Sequence, residues 1–272
     1  MIQMRGLHTG TLWDVASFCF RHPGKHENHA PGDEQRYREA WERKRAYLER
    51  MMKRGARAKI AYLKGEPVGF IEYYPIEICN LEVAGKDVMA IWCLDVREKG
   101  RGIGGKLIEA CLEDSRQLGR KGVDVSCWDP IWMPRKIFEK FGFKEAGKVV
   151  GAGILLFKEF EPVETPVWVG RGATYETQPV EGKVVVDLFH SDRCPIHWRN
   201  TALLKSIIRD FGDAIILNEH NVDERQDMLK HSIQYSAYLN GKAIIAGPVA
   251  DEEDLRTKIK AEVDRMRSKR QR

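Results

Sequence analysis

The chain has 272 residues, 45 of them Lys or Arg and 40 Asp or Glu, for a formal net charge of +5. Apolar types make up 43%, enough for real cores in one large domain or two of ordinary size. The two signs of charge are interspersed, which points away from a nucleic-acid partner, and no apolar run approaches the length of a membrane span.

The first residues, Met1-Ile2-Gln3-Met4-Arg5, lack the apolar centre of a signal peptide. Leu12 to Phe20 predicts a short helix. His22, His26 and His29 follow among prolines and glycines, and read as an exposed loop in preference to a metal site. Asp33 to Arg54 predicts a long charged helix with Trp41, Tyr47, Leu48 and Met51 as its buried stripe. Strands are predicted at Ala58–Leu63 and Val68–Tyr74, joined by the turn Lys64-Gly65-Glu66, and at Val88–Val96. The cysteines (Cys19, Cys79, Cys93, Cys111, Cys127 and Cys194) show neither paired zinc spacing nor a disulfide framework. Cys93, Cys111 and Cys127 sit in apolar patterns as small hydrophobes. No metal is expected, and the reducing cytoplasm is the expected location.

The apolar run ending at Val96 is followed by Lys99-Gly100-Arg101-Gly102-Ile103-Gly104-Gly105-Lys106-Leu107, which opens an amphipathic segment. Strand, glycine loop and helix form a context that binds phosphate. N–H groups at a helix N-terminus carry partial positive charge, and glycines let a pyrophosphate approach the backbone. Lys99, Arg101 and Lys106 add full charges. A P-loop would need Ser or Thr after Gly105-Lys106, where Leu107 stands. A Rossmann fingerprint would need another glycine spacing and an early β-α-β unit. The predicted helix, Gly102–Leu118, places Ile103, Leu107, Cys111, Leu112 and Leu118 near one face. An alternating strand, Val123–Trp128, comes next, then a helix over Arg135–Phe141 and strands near Phe143–Ala146 and Ile154–Phe157. Within that stretch lies Ile137-Phe138-Glu139-Lys140-Phe141-Gly142-Phe143.

The glycine loop resembles the Arg/Gln-x-x-Gly-x-Gly/Ala pyrophosphate loop of the GNAT N-acetyltransferase family, with Lys99 in the place of the usual Arg or Gln. The later segment resembles that family's Phe-Tyr-Glu-Lys-x-Gly-Phe signature, in the same order along the chain. The resemblance implies an α/β GNAT fold, a mostly antiparallel sheet with helices on both faces, over residues 1–158. It implies acetyl-CoA as cosubstrate. The strand through Leu94, Asp95 and Val96 would part from its neighbour and pair with the pantetheine arm. Lys99, Gly100, Arg101, Gly102, Ile103, Gly104, Gly105 and Lys106 would cradle the pyrophosphate. Phe138 would lie at the cofactor too, at the position where many members carry a tyrosine acid, and it has no proton to give. A neutral amine would attack the thioester, with a backbone N–H at the oxyanion and a base taking the ammonium proton. Glu72, interrupting Phe70-Ile71-Glu72-Tyr73-Tyr74, is the candidate base, against the alternative of a solvated strand carboxylate. Asp95 is the second candidate. Trp92, Trp128 and Trp132 are candidate walls of an acceptor pocket, with core packing as the alternative for at least one.

Prolines and glycines interrupt every period over 159–182, which reads as a linker. From 183 to 272 a second pattern runs: strand Val184–Phe189, a helix from Cys194-Pro195-Ile196-His197 to about Phe211, strand Ala214–Leu217 and helix Asp223–His231. A hairpin of Tyr235–Leu239 and Lys242–Ala246 about Asn240-Gly241 follows, then helix Glu252–Met266. This β-α-β-α-β-β-α order resembles a smaller thioredoxin-like domain, and the two halves together resemble the two-part YoaP-type members of the family. Cys194 lies where that fold carries Cys-x-x-Cys, with His197 in place of the second cysteine, so Cys194 and His197 are the candidate thiol site. A monothiol site, a docking site and a bare scaffold all stay open, and His197 would lower the Cys194 pKa if the two were close. The basic end, Arg265 to Arg272, reads as a solvated helix end.

The expected activity is acetyl transfer to a primary amine of a small-molecule or peptide acceptor. The alternatives are an acetyl-CoA-binding regulatory protein without efficient transfer, and a thiol-dependent protein using Cys194. A homodimer is the assembly that the resemblance allows.

Overall fold

A computed structural model of the chain describes residues 2–19, 34–98, 100–129, 132–148, 153–169, 175–245 and 250–270. The chain divides into two compact units, Met1–His22 with Arg45–Gly172, and Pro23–Lys44 with Ala173–Arg272. Against the expected 1–158, 159–182 and 183–272, this division passes through the long helix between Lys44 and Arg45 and groups residues 159–172 with the first unit.

In the first unit, β1 (Ile2–Gly6) pairs antiparallel with β2 (Arg57–Leu63). A short 3-10 turn leads into α1 (Leu12–Ala16), which ends before the predicted Phe20. α2 spans Glu34–Met52, and within this unit it buries Tyr47, Leu48 and Met51. β2 returns as β3 (Glu66–Pro75) through Lys64 and Gly65, at φ 52° and 84°. Two successive positive φ values make the tight turn whose twist matches a hairpin. β4 (Val83–Ala84), β5 (Val88–Val96), α3 (Ile103–Gln117), β6 (Gly122–Trp128), α4 (Arg135–Glu139), β7 (Lys144–Lys148) and β8 (Gly153–Glu159) follow. β9 (Val167–Trp168) lies within the predicted linker and pairs with β4.

The main sheet runs β1-β2-β3-β5-β6-β8-β7, and β5–β6 is its one parallel pair among the described strands. α3 is the crossover that a parallel pair requires. Its Ile103, Leu107, Ile108, Cys111 and Leu112 bury against Ile71, Tyr73, Met89, Ile91, Val123 and Val125. Leu118, expected on that face, is 46% exposed, because the helix has ended there and Leu118 is its C-cap. The Asp114 carboxylate of α3 is bonded by three groups of the sheet. Arg57 gives two bonds through Nε and Nη2, Lys59 Nζ lies at 2.6 Å and the Tyr73 hydroxyl at 2.6 Å.

In the second unit, β10 (Val184–His190) lies between β11 (Ile215–Asn221), parallel to it, and β12 (Ser236–Leu239), antiparallel, with β13 (Lys242–Ala243) outermost. α5 (Pro195–Arg209) and α7 (Glu252–Arg270) cover the face of Val184, Val186 and Leu188. α6 (Arg225–His231) supplies Met228 to the other face, against Phe189 and Val222. Cover on both faces explains why β10 is apolar on both sides of Asp187, from Val184 to Val186 and at Leu188 and Phe189. Asn240 and Gly241, at φ 46° and 82°, make the β12–β13 turn. No helix among the described residues is long and apolar enough to cross a membrane.

Candidate functional site

The site begins where β5 and β6 separate. Their parallel register runs from Val88↔Gly122 to Ile91↔Val125 and stops. Each strand nevertheless keeps its outer partner: β5 stays with β3 as far as Val96↔Gly69, and β6 stays with β8 as far as Trp128↔Gly153. Beyond Ile91 and Val125 the facing edges of β5 and β6 therefore no longer pair with one another, and a strand edge carries backbone donors and acceptors in a row. On the β3 side, Glu72 pairs with Cys93 and Tyr73 with Ile91, so Trp92 is bulged out of register. A bulge bends its strand and increases local twist, which turns β5 away from β6 at the point of parting.

Beyond the parting, β5 passes into the glycine loop. Arg97 anchors the start: its N–H donates to the Val68 carbonyl at 2.9 Å, and its guanidinium reaches the Pro67 carbonyl at 2.9 Å and lies 4.1 Å over the Phe18 ring. Glu98 and Arg101 pair at 3.0 Å. Lys99 lies outside the described residues. Gly100 and Gly102 take φ 83° and 69°, and Gly102 is the N-cap of α3 with no side-chain cap. The first bond of the helix closes from the Lys106 N–H to the Gly102 carbonyl, so the N–H groups of Ile103, Gly104 and Gly105 have no acceptor within the helix. A Cβ at Gly102 would meet nothing within 4 Å, and one at Gly105 would meet the Phe141 ring at 3.1 Å. Arg101 and Lys106 are exposed beside this end, while Ile103 is buried. Space, free donors and positive charge coincide there, which is what an anion needs.

Glu72 is fully buried, in place of the solvated carboxylate considered above, and accepts a hydrogen bond from the Tyr74 hydroxyl. Its face of β3, shared with Phe70 and Tyr74, is opposite that of Ile71 and Tyr73, which pack under α3. Asp95 pairs with Phe70 and is half-buried. Leu94 lies in the core under α3, and Val96 packs against that core. Phe138 is fully buried, edge to face with Phe143 at 5.5 Å. The Trp92 bulge, the Asp114 network and the pairing of Trp128 with Trp132 escaped sequence reading. The residues of the Asp114 network lie 41 to 57 positions apart in the chain, and no local pattern marks them.

In the second unit, Cys194 is the half-buried N-cap of α5, with Pro195 in the first turn. The His197 ring stacks flat on Tyr235, centroids 3.8 Å apart at 3°. Burial first, and then the charges of Arg193 and Lys44, hold His197 below the usual imidazole range. A neutral imidazole offers no positive charge to a thiolate. Among the described residues no group of three or more His, Cys, Asp or Glu side chains could hold a metal ion. His22, His26 and His29 lie outside the described residues.

Residues 25–143 match the family model described as Acetyltransferase (GNAT) family. No curated protein matches the chain. Among solved structures, an N-acetyltransferase from Staphylococcus aureus Mu50 is similar at 13% identity and TM-score 0.45, covering 59% of this chain and 99% of that one. The PaiA N-acetyltransferase of Thermoplasma acidophilum, solved with coenzyme A, is similar at 15% identity and TM-score 0.43, over 58% and 99%. A GNAT family acetyltransferase from Brucella melitensis, solved with acetyl-CoA, shows 19% identity and TM-score 0.39, over 60% and 91%.

Proposed function

We propose that this chain is a GNAT N-acetyltransferase whose first unit binds acetyl-CoA and transfers its acetyl group to a primary amine. The family match over residues 25–143 supports the class. The observation that carries the site assignment is the parting of β5 and β6 beyond Ile91 and Val125, beside the open helix end at Gly102. These features suit the two ends of acetyl-CoA. The N–H groups of Ile103, Gly104 and Gly105, with Arg101 and Lys106, hold the pyrophosphate, and Lys99 is proposed with them from sequence. The part of β5 through Leu94 and Val96 holds the amide-bearing arm.

Acetyl-CoA supplies an acyl group already activated as a thioester. The protein's part is to hold the cosubstrate in register, to exclude water and to accept the amine's proton. N–H groups of β5 beyond Ile91 are the proposed donors to the thioester carbonyl. Glu72 is the proposed base and Asp95 the second candidate. Phe138, buried and without a hydroxyl, offers no acid, which leaves protonation of the departing thiolate to solvent or to another group. The same residue favours the second reading, a protein that binds acetyl-CoA without efficient transfer; a screen of amine acceptors separates the two. The second unit is proposed as a thioredoxin-like domain serving as scaffold or docking part, because Cys194 lacks a second cysteine and His197 is held neutral.

Calorimetric titration with acetyl-CoA tests the reading, with Gly102→Glu as the contrast. A carboxylate about 6 Å from a phosphate charge, at an effective dielectric near 20, costs about 3 kcal/mol, roughly a hundredfold in affinity. Binding by the unaltered protein and its loss in the variant are expected. No binding by the unaltered protein, or equal binding by both, refutes the assignment.

A further inference from the structure

The strands that part at Ile91 and Val125 are spanned again by two tryptophans. Trp92, the bulged residue of β5, is 6% exposed, and its ring meets Trp132 edge to face with centroids 6.1 Å apart. Trp132 is fixed through its backbone. The Trp128 N–H donates to the Trp132 carbonyl at 3.0 Å, and the Trp132 N–H donates to the Trp128 carbonyl at 2.9 Å. Its side chain also packs on the core under α3. The next residue, Met133, sits at φ 49° although it is not glycine, a conformation that costs about 1–2 kcal/mol. Two anchors hold it there. The Met133 side chain is buried, and Asp129 Oδ1 accepts the Arg135 N–H at 3.0 Å. A strained backbone is thus maintained beside the residue that bridges the two strands.

We propose that Trp132 determines which acyl groups this site accepts, by closing the point where β5 and β6 part. The inference rests on the reading above, that an acyl-CoA lies along β5 where it parts from β6. From Val96 to Ile91 the strand spans about 16 Å at roughly 3.3 Å per residue. A carrier held by its phosphates at Gly102 runs its arm along that length, so its acyl end arrives at Trp92 and Trp132. Aromatic rings with centroids 4.5–7 Å apart are in contact, and no acyl chain passes between them. An acetyl group stops short of the rings, whereas a longer chain has to displace Trp132.

The test is calorimetric titration of the unaltered protein, Trp132→Phe and Trp132→Ala with acetyl-, butyryl- and hexanoyl-CoA, with circular dichroism to confirm folding. The unaltered protein is expected to bind hexanoyl-CoA roughly tenfold or more weakly than acetyl-CoA. Trp132→Ala is expected to reverse that order, gaining about fourfold for each methylene newly buried, with Trp132→Phe between them. Trp132→Phe keeps an aromatic ring and the backbone pairing, so the shift stays readable if the alanine variant does not fold. Acetyl-CoA binding with the same chain-length order in all folded proteins overturns this inference and leaves the proposed function standing. Failure of the unaltered protein to bind any acyl-CoA overturns both.

Discussion

Asp114→Asn should weaken the first unit by about 2 kcal/mol at neutral pH, and the loss should vanish in acid. Burial alone would raise the Asp114 carboxyl, but hydrogen bonds from Arg57, Lys59 and Tyr73 outweigh it and hold the group at about 2, against its ordinary 3.8. At about 1.4 kcal/mol per pKa unit, that depression is worth about 2 kcal/mol. Its sign is that of a depressed acid. The stability is complete above the unfolded pKa near 4 and is lost as pH falls through about 2. Asparagine keeps the shape and an acceptor but removes the charge. Alanine should cost more, about 3–4 kcal/mol in all, because the buried Tyr73 hydroxyl then loses its acceptor. Arg57 and Lys59 suffer less, since their side chains are 40% and 21% exposed and return to water. Urea denaturation at pH 7 and at pH 2, followed by circular dichroism, measures the difference, with the two units' transitions fitted separately. If the asparagine variant unfolds at the same urea concentration as the unaltered protein at pH 7, or keeps the same acid-induced loss, the carboxylate does not hold α3 as argued.

Glu72→Gln should lower kcat by about 10²–10⁴-fold and remove the acidic limb of the pH–rate profile if Glu72 takes the amine's proton; an unchanged profile transfers that role elsewhere. Cys194→Ser should leave kcat for acetyl transfer within about twofold, as expected if the thiol takes no part in the transfer. A large loss of activity in that variant would bring the thiol into the reaction and refute the docking reading.

Local chemistry made much of this fold legible. Lys64-Gly65 and Asn240-Gly241 announced their hairpins because few residues tolerate the positive φ that such turns need. β5 was legible to the residue, since both faces of a central strand are covered and it is apolar but for Asp95. The glycines of the loop after β5 were legible for the same reason as the turns: Gly102 takes a φ that side chains resist. What failed depends on partners far along the chain. β1 alternates only weakly, and its strand character comes from pairing with β2 more than fifty residues later. β9 is two residues long and exists because β4 lies beside it. Glu72 could be placed on a face from alternation, but its full burial could not, because covering that face is a tertiary event. The bulge at Trp92 and the positive φ of Met133 run against local preference, so sequence rules point away from them.

Both halves of the candidate site follow from one topological cause. In a sheet otherwise antiparallel, β5 and β6 are parallel, so the chain must return from the end of one to the start of the other through α3. That places the N-terminus of α3 beside the C-terminal ends of both strands, where open sheets receive ligands. The same pair is the one that parts, since each strand follows its antiparallel neighbour, β3 or β8, beyond the last shared residue. The proposed phosphate-binding helix end and the proposed amide-binding edge are therefore neighbours by construction. The Asp114 network sits toward the other end of α3 and ties it to β2 and β3. Loosening that tie should tilt the helix about its buried Ile103 end, so Asp114→Asn should weaken acetyl-CoA binding by a few-fold without touching the cosubstrate. Calorimetry on that variant at pH 7 checks the coupling. Unchanged affinity would mean that Ile103, Leu107 and the glycine loop fix the helix end by themselves.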